Sequence, residues 1–360
     1  MPHLFADISA HGFGHLAQAA PVLNALAARC PALKLTVRSA LPVEKLRERI
    51  RAPFMHLQAA SDIGFVMIDA FDIDLAATAQ AYRAFHADFA ARVAAEAALF
   101  NKLAVDLVFS DVAYLPLAGA ARAGLPAIAL CSLNWADLFA HFFGCEAWAA
   151  PLLAEMLADY QSAPFLRATP AMPMPTLVDT HAIGPLAVAG QARREALAAQ
   201  LGARQTARLV LVSLGGIPTR LPVEHWPATP DLHWLVPAAW QPCRADMSAI
   251  EPLGWPFADL FASVDAVLTK PGYGTFVEAA VNGTAVLYLR RPDWPEQDVL
   301  IDWLHAHARA AEISTADLAH GRLSTTLDRV LASPAPPRPI ADGAAQAAAF
   351  IAARLSASGG

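Results

Sequence analysis

Short apolar runs alternate along this chain with longer alanine- and leucine-rich segments, and that alternation confines it to α/β architectures built on parallel sheets. In the first half, strands are expected at residues 3–9, 33–38, 105–110 and 127–131. Helices are expected between them at 16–28, 76–103 and 114–123. In the second helix Tyr82, Phe85, Phe89 and Val93 recur at helical spacing, a stripe that reads as core and receives no function. The pattern resumes later with strands at 209–213, 232–236, 266–269 and 285–289 and helices at 274–281 and 297–307.

A chain of 360 residues is long enough for two domains at about 150 residues each. The boundary is set by a proline-dense stretch from Pro164 through Pro170, Pro173 and Pro175 to Pro185, where a continuous helix would lose donors and clash. The expected division is an N-terminal domain at 1–163, a linker at 164–186 and a C-terminal domain at 187–340. A final helix, 343–355, lies in the segment 341–360 beyond a second proline cluster and is free to pack back onto the first domain.

Composition removes several classes. Apolar residues make up 56% and charged residues 16%, so the chain is not a disordered linker. Its net charge of −6 argues against a nucleic-acid partner bound through a broad phosphate-neutralising face, while a local basic pocket remains compatible. No uninterrupted apolar stretch has the length of a membrane span, and the start, MPHLFADISAHGFGH, reads as a strand and glycine loop and not as a signal peptide. Cys30, Cys131, Cys145 and Cys243 show no CxxC spacing and read as free thiols. A cytoplasmic setting follows as the expectation.

Four segments carry chemistry. The loop His11-Gly12-Phe13-Gly14-His15 follows a strand and opens a helix, so its backbone can approach a ligand and the helix terminus favours negative charge. The same window fits the dinucleotide fingerprint, but the acidic ribose ligand expected after the second strand is replaced by Arg38, which would suit only a 2′-phosphate. Glycines between His11 and His15 spoil helical metal-ligand spacing and no third ligand is evident, so no metal is assigned. Asp111, at the end of a buried strand, either orients a histidine from the first loop or caps the next helix.

The third segment, Ser213-Leu214-Gly215-Gly216, exposes backbone N–H groups at a strand end, as a phosphate site or a plain turn does. The fourth runs from Asp265 to Ala279. Here a strand enters a glycine turn holding Lys270, Gly272 and Gly274, and a helix whose expected N-cap is Thr275. Glu278, three residues on, would complete a capping box, which leaves Lys270 and the glycines unexplained. A cation beside a glycine turn at a helix N-terminus suits a diphosphate, and a carboxylate nearby can take ribose hydroxyls. Arg290, Arg291, Glu296 and Gln297 gather just past the next strand, as further donor-site groups or as a solvated loop.

Together HGFGH, SDVAY, SLGG and KPGYGTFVEA followed by LRRPDWPEQ resemble the nucleotide-sugar-dependent GT-B glycosyltransferases, in particular the glycosyltransferase-like N-terminal region of L-arabinokinases. The resemblance spans most of residues 3–310. It implies the GT-B fold: two Rossmann-like, doubly wound parallel-sheet domains facing a central cleft, with the acceptor mainly on the first and the donor nucleotide mainly on the second. By the resemblance, His15 is the base that deprotonates the acceptor hydroxyl and Asp111 orients it, with His11, Gly12 and Gly14 forming the acceptor-side loop. Gly215 and Gly216 match the donor-phosphate turn, Gly272, Gly274 and Thr275 the diphosphate-binding helix start, and Glu278 the ribose carboxylate. Glu296 and Gln297 match groups that hold the donor sugar. Related pockets often carry a histidine where this chain has Lys270-Pro271, and sugar-kinase activity is not carried over.

The expected activity is therefore inverting, metal-independent transfer of a sugar from a nucleoside-diphosphate donor, a UDP-sugar foremost, to an acceptor hydroxyl. The nucleotide sugar is a co-substrate and no cofactor is implied. A nucleotide-sugar sensor without catalysis and an epimerase or hydrolase on the same scaffold are the alternatives. The aromatic segment from Leu138 through Trp148 to Leu152 would meet an apolar acceptor or a membrane surface if exposed, and is an ordinary core helix if buried.

Overall fold

Every strand pairing in the two sheets of the computed structural model, which describes residues 1–357, is parallel. Contacts divide the chain into two units. The first holds Met1–Ile68, Ile73–Leu186 and the segment that begins at Ala341; the second holds Asp69–Asp72 and Ala187–Ile340. In chain order the first unit contains β1 (His3–Ile8), α1 (Phe13–Arg29), β2 (Lys34–Arg38), α2 (Val43–Arg49), β3 (Met55–Leu57), α3 (Leu75–His86) and α4 (Phe89–Leu103). It continues through β4 (Leu107–Asp111), α5 (Leu115–Ala123), β5 (Ala127–Cys131), α6 (Trp135–Phe143), α7 (Ala149–Tyr160), β6 (Phe165–Ala168) and β7 (Thr180–Ile183).

The second unit contains α8 (Arg194–Leu201), β8 (Arg208–Ser213), β9 (Leu232–Val236), β10 (Met247–Ala249), α9 (Phe257–Ser263), β11 (Ala266–Thr269) and α10 (Tyr273–Asn282). After these come β12 (Ala285–Tyr288), α11 (Gln297–His307), β13 (Ala310–Glu312), α12 (Thr315–His320) and α13 (Ser324–Ala332). The last helix, α14 (Gly343–Ala357), packs on α1 within the first unit.

The sheet orders are β3-β2-β1-β4-β5-β6-β7 and β10-β9-β8-β11-β12-β13. Each reverses direction once, between β1 and β4 and between β8 and β11. Such a switch point opens a crevice beyond the carboxyl ends of the two strands, because the following connections leave to opposite sides. Strands such as β1 and β4 are buried along their whole length, as a sheet covered by helices on both faces requires. Phe5 of β1 meets Phe100 of α4 edge-on at 4.9 Å, and in the second unit Trp226 and Trp234 pack at 4.7 Å.

Two expectations change, and one open alternative is resolved. The single helix expected at 76–103 is two helices, broken at Ala87-Asp88, which lets Tyr82 turn to Phe139 at 4.7 Å while Phe100 turns to Phe5. Residues 164–186 are not a plain linker: they carry β6 and β7, which extend the first sheet. Their prolines lie outside the two strands, where no ladder donor is needed. In the aromatic segment Leu138, Phe139 and Phe143 of α6 are buried as a core helix requires, while Phe142, Trp148 and Leu152 are half-buried. No helix among the described residues is long and apolar enough to cross a membrane.

Candidate active site

At the switch point of the first sheet, the loop after β1 meets the end of β4. Helix α1 starts at Phe13, three residues earlier than the apolar pattern suggests, with Gly12 as an N-cap that offers no side chain. His15 thus lies in the first turn, buried. Its Nδ1 is 3.2 Å from Oδ1 of Asp111, the last residue of β4 and also fully buried. Cys131, at the end of β5, places Sγ 3.8 Å from the same nitrogen. No described residue hydrogen-bonds His15 Nε2. Trp135 walls the ring at a centroid distance of 5.7 Å.

Asp111 is not a helix cap, because α5 begins at Leu115 and takes no side-chain cap. Its position is fixed by the corner that follows. Val112 has φ 77°, a left-handed conformation strongly unfavourable for a β-branched residue. The Tyr160 hydroxyl donates to the Val112 carbonyl, and the Ser110 hydroxyl donates to the Ala113 carbonyl at 2.6 Å. These bonds hold the strained turn.

Electrostatics follow from burial. Desolvation pushes the Asp111 carboxyl up to about 6, opposed by the charge and hydrogen bond of His15. Burial by itself would lower the imidazole of His15, but the Asp111 charge and hydrogen bond, aided by Cys131, carry it well above its ordinary value. A second carboxylate, Asp62, accepts from Trp135 Nε1 at 2.8 Å and is likewise raised by burial. His11 is held aside: its Nε2 donates to the Phe65 carbonyl at 2.9 Å, and its ring packs 5.2 Å from Trp135. A β-carbon at Gly64 would stand 2.5 Å from that ring, so the loop needs glycine there. Gly14 sits in the first turn of α1 with open space beside it.

The second switch point collects the other motif residues. Thr269 of β11 pairs with Ser213 of β8 and Tyr288 of β12, so the loops beyond all three strand ends share one edge. Gly215, at φ 87°, takes a conformation that a side chain would strain, and exposes the turn that continues into Gly216. Helix α10 begins at Tyr273 with Gly272 as N-cap and no side-chain cap. The expected capping box therefore does not form: Thr275 lies inside the first turn, beside Gly274, and Glu278 lies a turn further on, buried. Lys270 reaches over this turn, its Nζ 3.4 Å from where a β-carbon on Gly272 would stand. Its ammonium makes no hydrogen bond or ion pair with any described residue. Burial and the neighbouring Arg291 charge lower it to about 7, against the opposing pull of Glu296.

Arg290 and Arg291 part company, as successive residues of an extended segment must. Arg291 is buried, its guanidinium stacked 3.8 Å over Trp294, and lowered to about 10 by burial against the charges of Glu296, Asp69 and Asp72. Arg290 instead faces outward and pairs with Asp298 at 2.5 Å and Glu312 at 3.0 Å. Gln297 is occupied structurally, its side-chain amide bonding the Arg291 N–H at 3.1 Å and carbonyl at 2.9 Å. Glu296 is buried and accepts from Trp294 Nε1 at 3.3 Å.

Sequence reasoning missed Cys131, Asp62 and Trp135, which approach His15 only through the fold. It also left Arg38 open to a 2′-phosphate. In the structure Arg38 is buried, bonded to Asp7 and to both oxygens of Glu96 at 2.5 and 2.8 Å, so its charge is already paired.

These two switch-point sheets define the GT-B glycosyltransferase fold. No family model matches the chain. It is 24% identical to an L-arabinokinase of Arabidopsis thaliana over 330 residues, which make up 90% of this chain and 32% of that protein; the chain thus spans about a third of the relative's length. Among solved structures it is similar to the calicheamicin glycosyltransferase CalG4, with a TM-score of 0.61, 18% identity and coverage of 100% of this chain and 95% of the other. A UDP-glucosyltransferase from Polygonum tinctorium that glucosylates indoxyl gives a TM-score of 0.60 at 14% identity, covering 99% and 98%.

Proposed function

We propose that this protein is an inverting glycosyltransferase that moves a sugar from a nucleoside-diphosphate donor to an acceptor hydroxyl. The observation that carries the reading is the His15–Asp111 pair at a sheet switch point, with Nδ1 engaged and Nε2 bonded to no described residue. A carboxylate on Nδ1 fixes the tautomer in which Nε2 can accept a proton. In the reaction Nε2 takes the acceptor's hydroxyl proton, the alkoxide forms a bond to the anomeric carbon, and the bond from that carbon to the diphosphate breaks. The electron pair leaves with the diphosphate.

The second unit fits the leaving group. Lys270, whose Nζ makes no hydrogen bond or ion pair with any described residue, lies beside the Gly215-Gly216 turn and an uncapped helix start at Gly272, Gly274 and Thr275. Helix dipole and ammonium together compensate developing diphosphate charge, so transfer is expected to proceed in the presence of a chelator. Glu278 is assigned to the ribose hydroxyls and Glu296 to the donor sugar. The UDP-glucosyltransferase similarity favours a UDP-sugar. Melting curves with UDP-, GDP- and dTDP-sugars test the donor half, because a ligand of the folded state raises the melting temperature. A UDP-sugar shift, followed by transfer that His15→Ala reduces about 100-fold or more, is the expected result. Full activity in His15→Ala overturns the reading.

A further inference from the structure

Asp111 has more bonding capacity than its histidine uses. Oδ1 faces His15, whereas Oδ2 is buried with no hydrogen-bond partner among the described residues. Leaving such an acceptor unsatisfied is costly, more so when the group is charged. Beside it, one atom each from His15, Asp111 and Cys131 can be chosen so that all lie within 4.8 Å of one another, and all three residues are buried. We propose that these three side chains form a buried site for a thiophilic divalent cation of the Zn²⁺ class.

The two separations measured from His15 suit the ion. Zinc bonds of about 2.0–2.1 Å to nitrogen, 2.0–2.2 Å to oxygen and 2.3 Å to sulfur place tetrahedral ligands about 3.3–3.5 Å apart for N and O and about 3.6 Å for N and S. The observed separations from His15 Nδ1 are 3.2 Å to Asp111 Oδ1 and 3.8 Å to Cys131 Sγ. Charge balances as well. The Asp111 carboxylate and a Cys131 thiolate cancel the dication with neutral His15, so no net charge is buried. The thiol proton, and any second proton on the imidazole, leaves to solvent as the ion enters.

Around the sulfur there is an ordered support. Gln18 is buried, its side-chain amide donating to Cys131 Sγ at 3.6 Å and to Ser132 Oγ at 3.3 Å, while its Oε1 accepts the Ser132 N–H at 3.0 Å. Such second-sphere bonds orient a thiolate ligand. A sulfur, nitrogen and oxygen set selects zinc-like ions over Mg²⁺ and Ca²⁺, which take oxygen ligands. Water would complete the fourth position.

The test uses the full chain with Cys30→Ser, Cys145→Ser and Cys243→Ser, leaving Cys131 as the sole thiol. Titration with Co²⁺ should give one equivalent of tetrahedral cobalt with a sulfur-to-metal charge-transfer band, which Zn²⁺ abolishes by displacement. Adding Cys131→Ser should remove the band and weaken Zn²⁺ binding more than the about 10- to 100-fold that second-sphere changes cost. Asp111→Asn, which keeps the thiol, should weaken binding at least about 10-fold and retain the band at saturation. The sole-thiol protein needs no change at the site itself, so a poorly folding variant does not decide the outcome. Absence of the band in that protein, or unchanged Zn²⁺ affinity in Cys131→Ser, overturns the proposal. None of these readouts depends on transfer activity.

Discussion

His15 and Asp111 meet at 3.2 Å although 96 positions separate them in the chain. The contact exists because β1 and β4 are neighbours across the switch point, with Ile8 and Asp111 in register. Replacing Asp111 by Asn keeps the shape and removes the charge that supports an imidazolium. Transfer assays should show kcat reduced about 100-fold or more with the donor KM unchanged. An equal rise in donor KM would place Asp111 in donor binding instead.

Lys270 links donor binding to pH. Its folded-state value near 7 lies below that of an unfolded lysine, so between about 7 and 10.5 the unfolded chain binds more protons and stability rises with pH. Lys270→Met should flatten that rise. Binding a diphosphate should return the proton: calorimetry of UDP at pH 8 in buffers of different ionisation enthalpy should show proton uptake, absent in Lys270→Met. The variant should also bind UDP about 10- to 100-fold more weakly, the range of a hydrogen bond to a charged group.

Arg38 serves stability. It is buried with Asp7 and Glu96, so Arg38→Met strands two carboxylates away from water. Chemical denaturation should show a loss of about 3–5 kcal/mol. A neutral effect would mean that water reaches the pair.

At Val112 two effects oppose each other. Glycine removes backbone strain of about 1–3 kcal/mol and also a buried side chain whose burial contributes about 1.5–3 kcal/mol. Val112→Gly should therefore change stability by no more than about 2 kcal/mol. Val108→Gly, in the ordinary part of the same strand, loses side chain and backbone order together and should cost clearly more in the same denaturation experiment.

The proposed ion would also act on the reaction. With a metal on Nδ1, the neutral imidazole carries its proton on Nε2 and cannot accept another. Micromolar Zn²⁺ should inhibit transfer and EDTA should restore it, whereas Mg²⁺ should leave the rate unchanged. Zinc inhibition that persists in Cys131→Ser would trace it to another place on the protein.

Longer strands and the glycine loops were legible because their signals are local. An apolar run such as 127–131, ended by polar residues, states its own conformation, and β5 occupies that span. Three-residue strands such as β3, β10 and β13 carry no such pattern and exist because a neighbouring strand pairs with them. The helix start at α10 was misplaced for a related reason. Thr275 and Glu278 have capping spacing, yet Gly272 takes the extended turn first and leaves the terminus uncapped.

What the sequence determined by itself is the alternation of elements, the parallel-sheet class and the glycine loops at strand ends, since these depend on residues a few positions apart. Only the tertiary structure decided which side chains share a site. It joined Asp111 and Cys131 to His15, brought Lys270 over the Gly272 turn, and sent Arg290 outward while Arg291 turned in. Those outcomes depend on strand order and on the side of the chain each residue faces, and both are fixed only when the sheets assemble and bury their two faces.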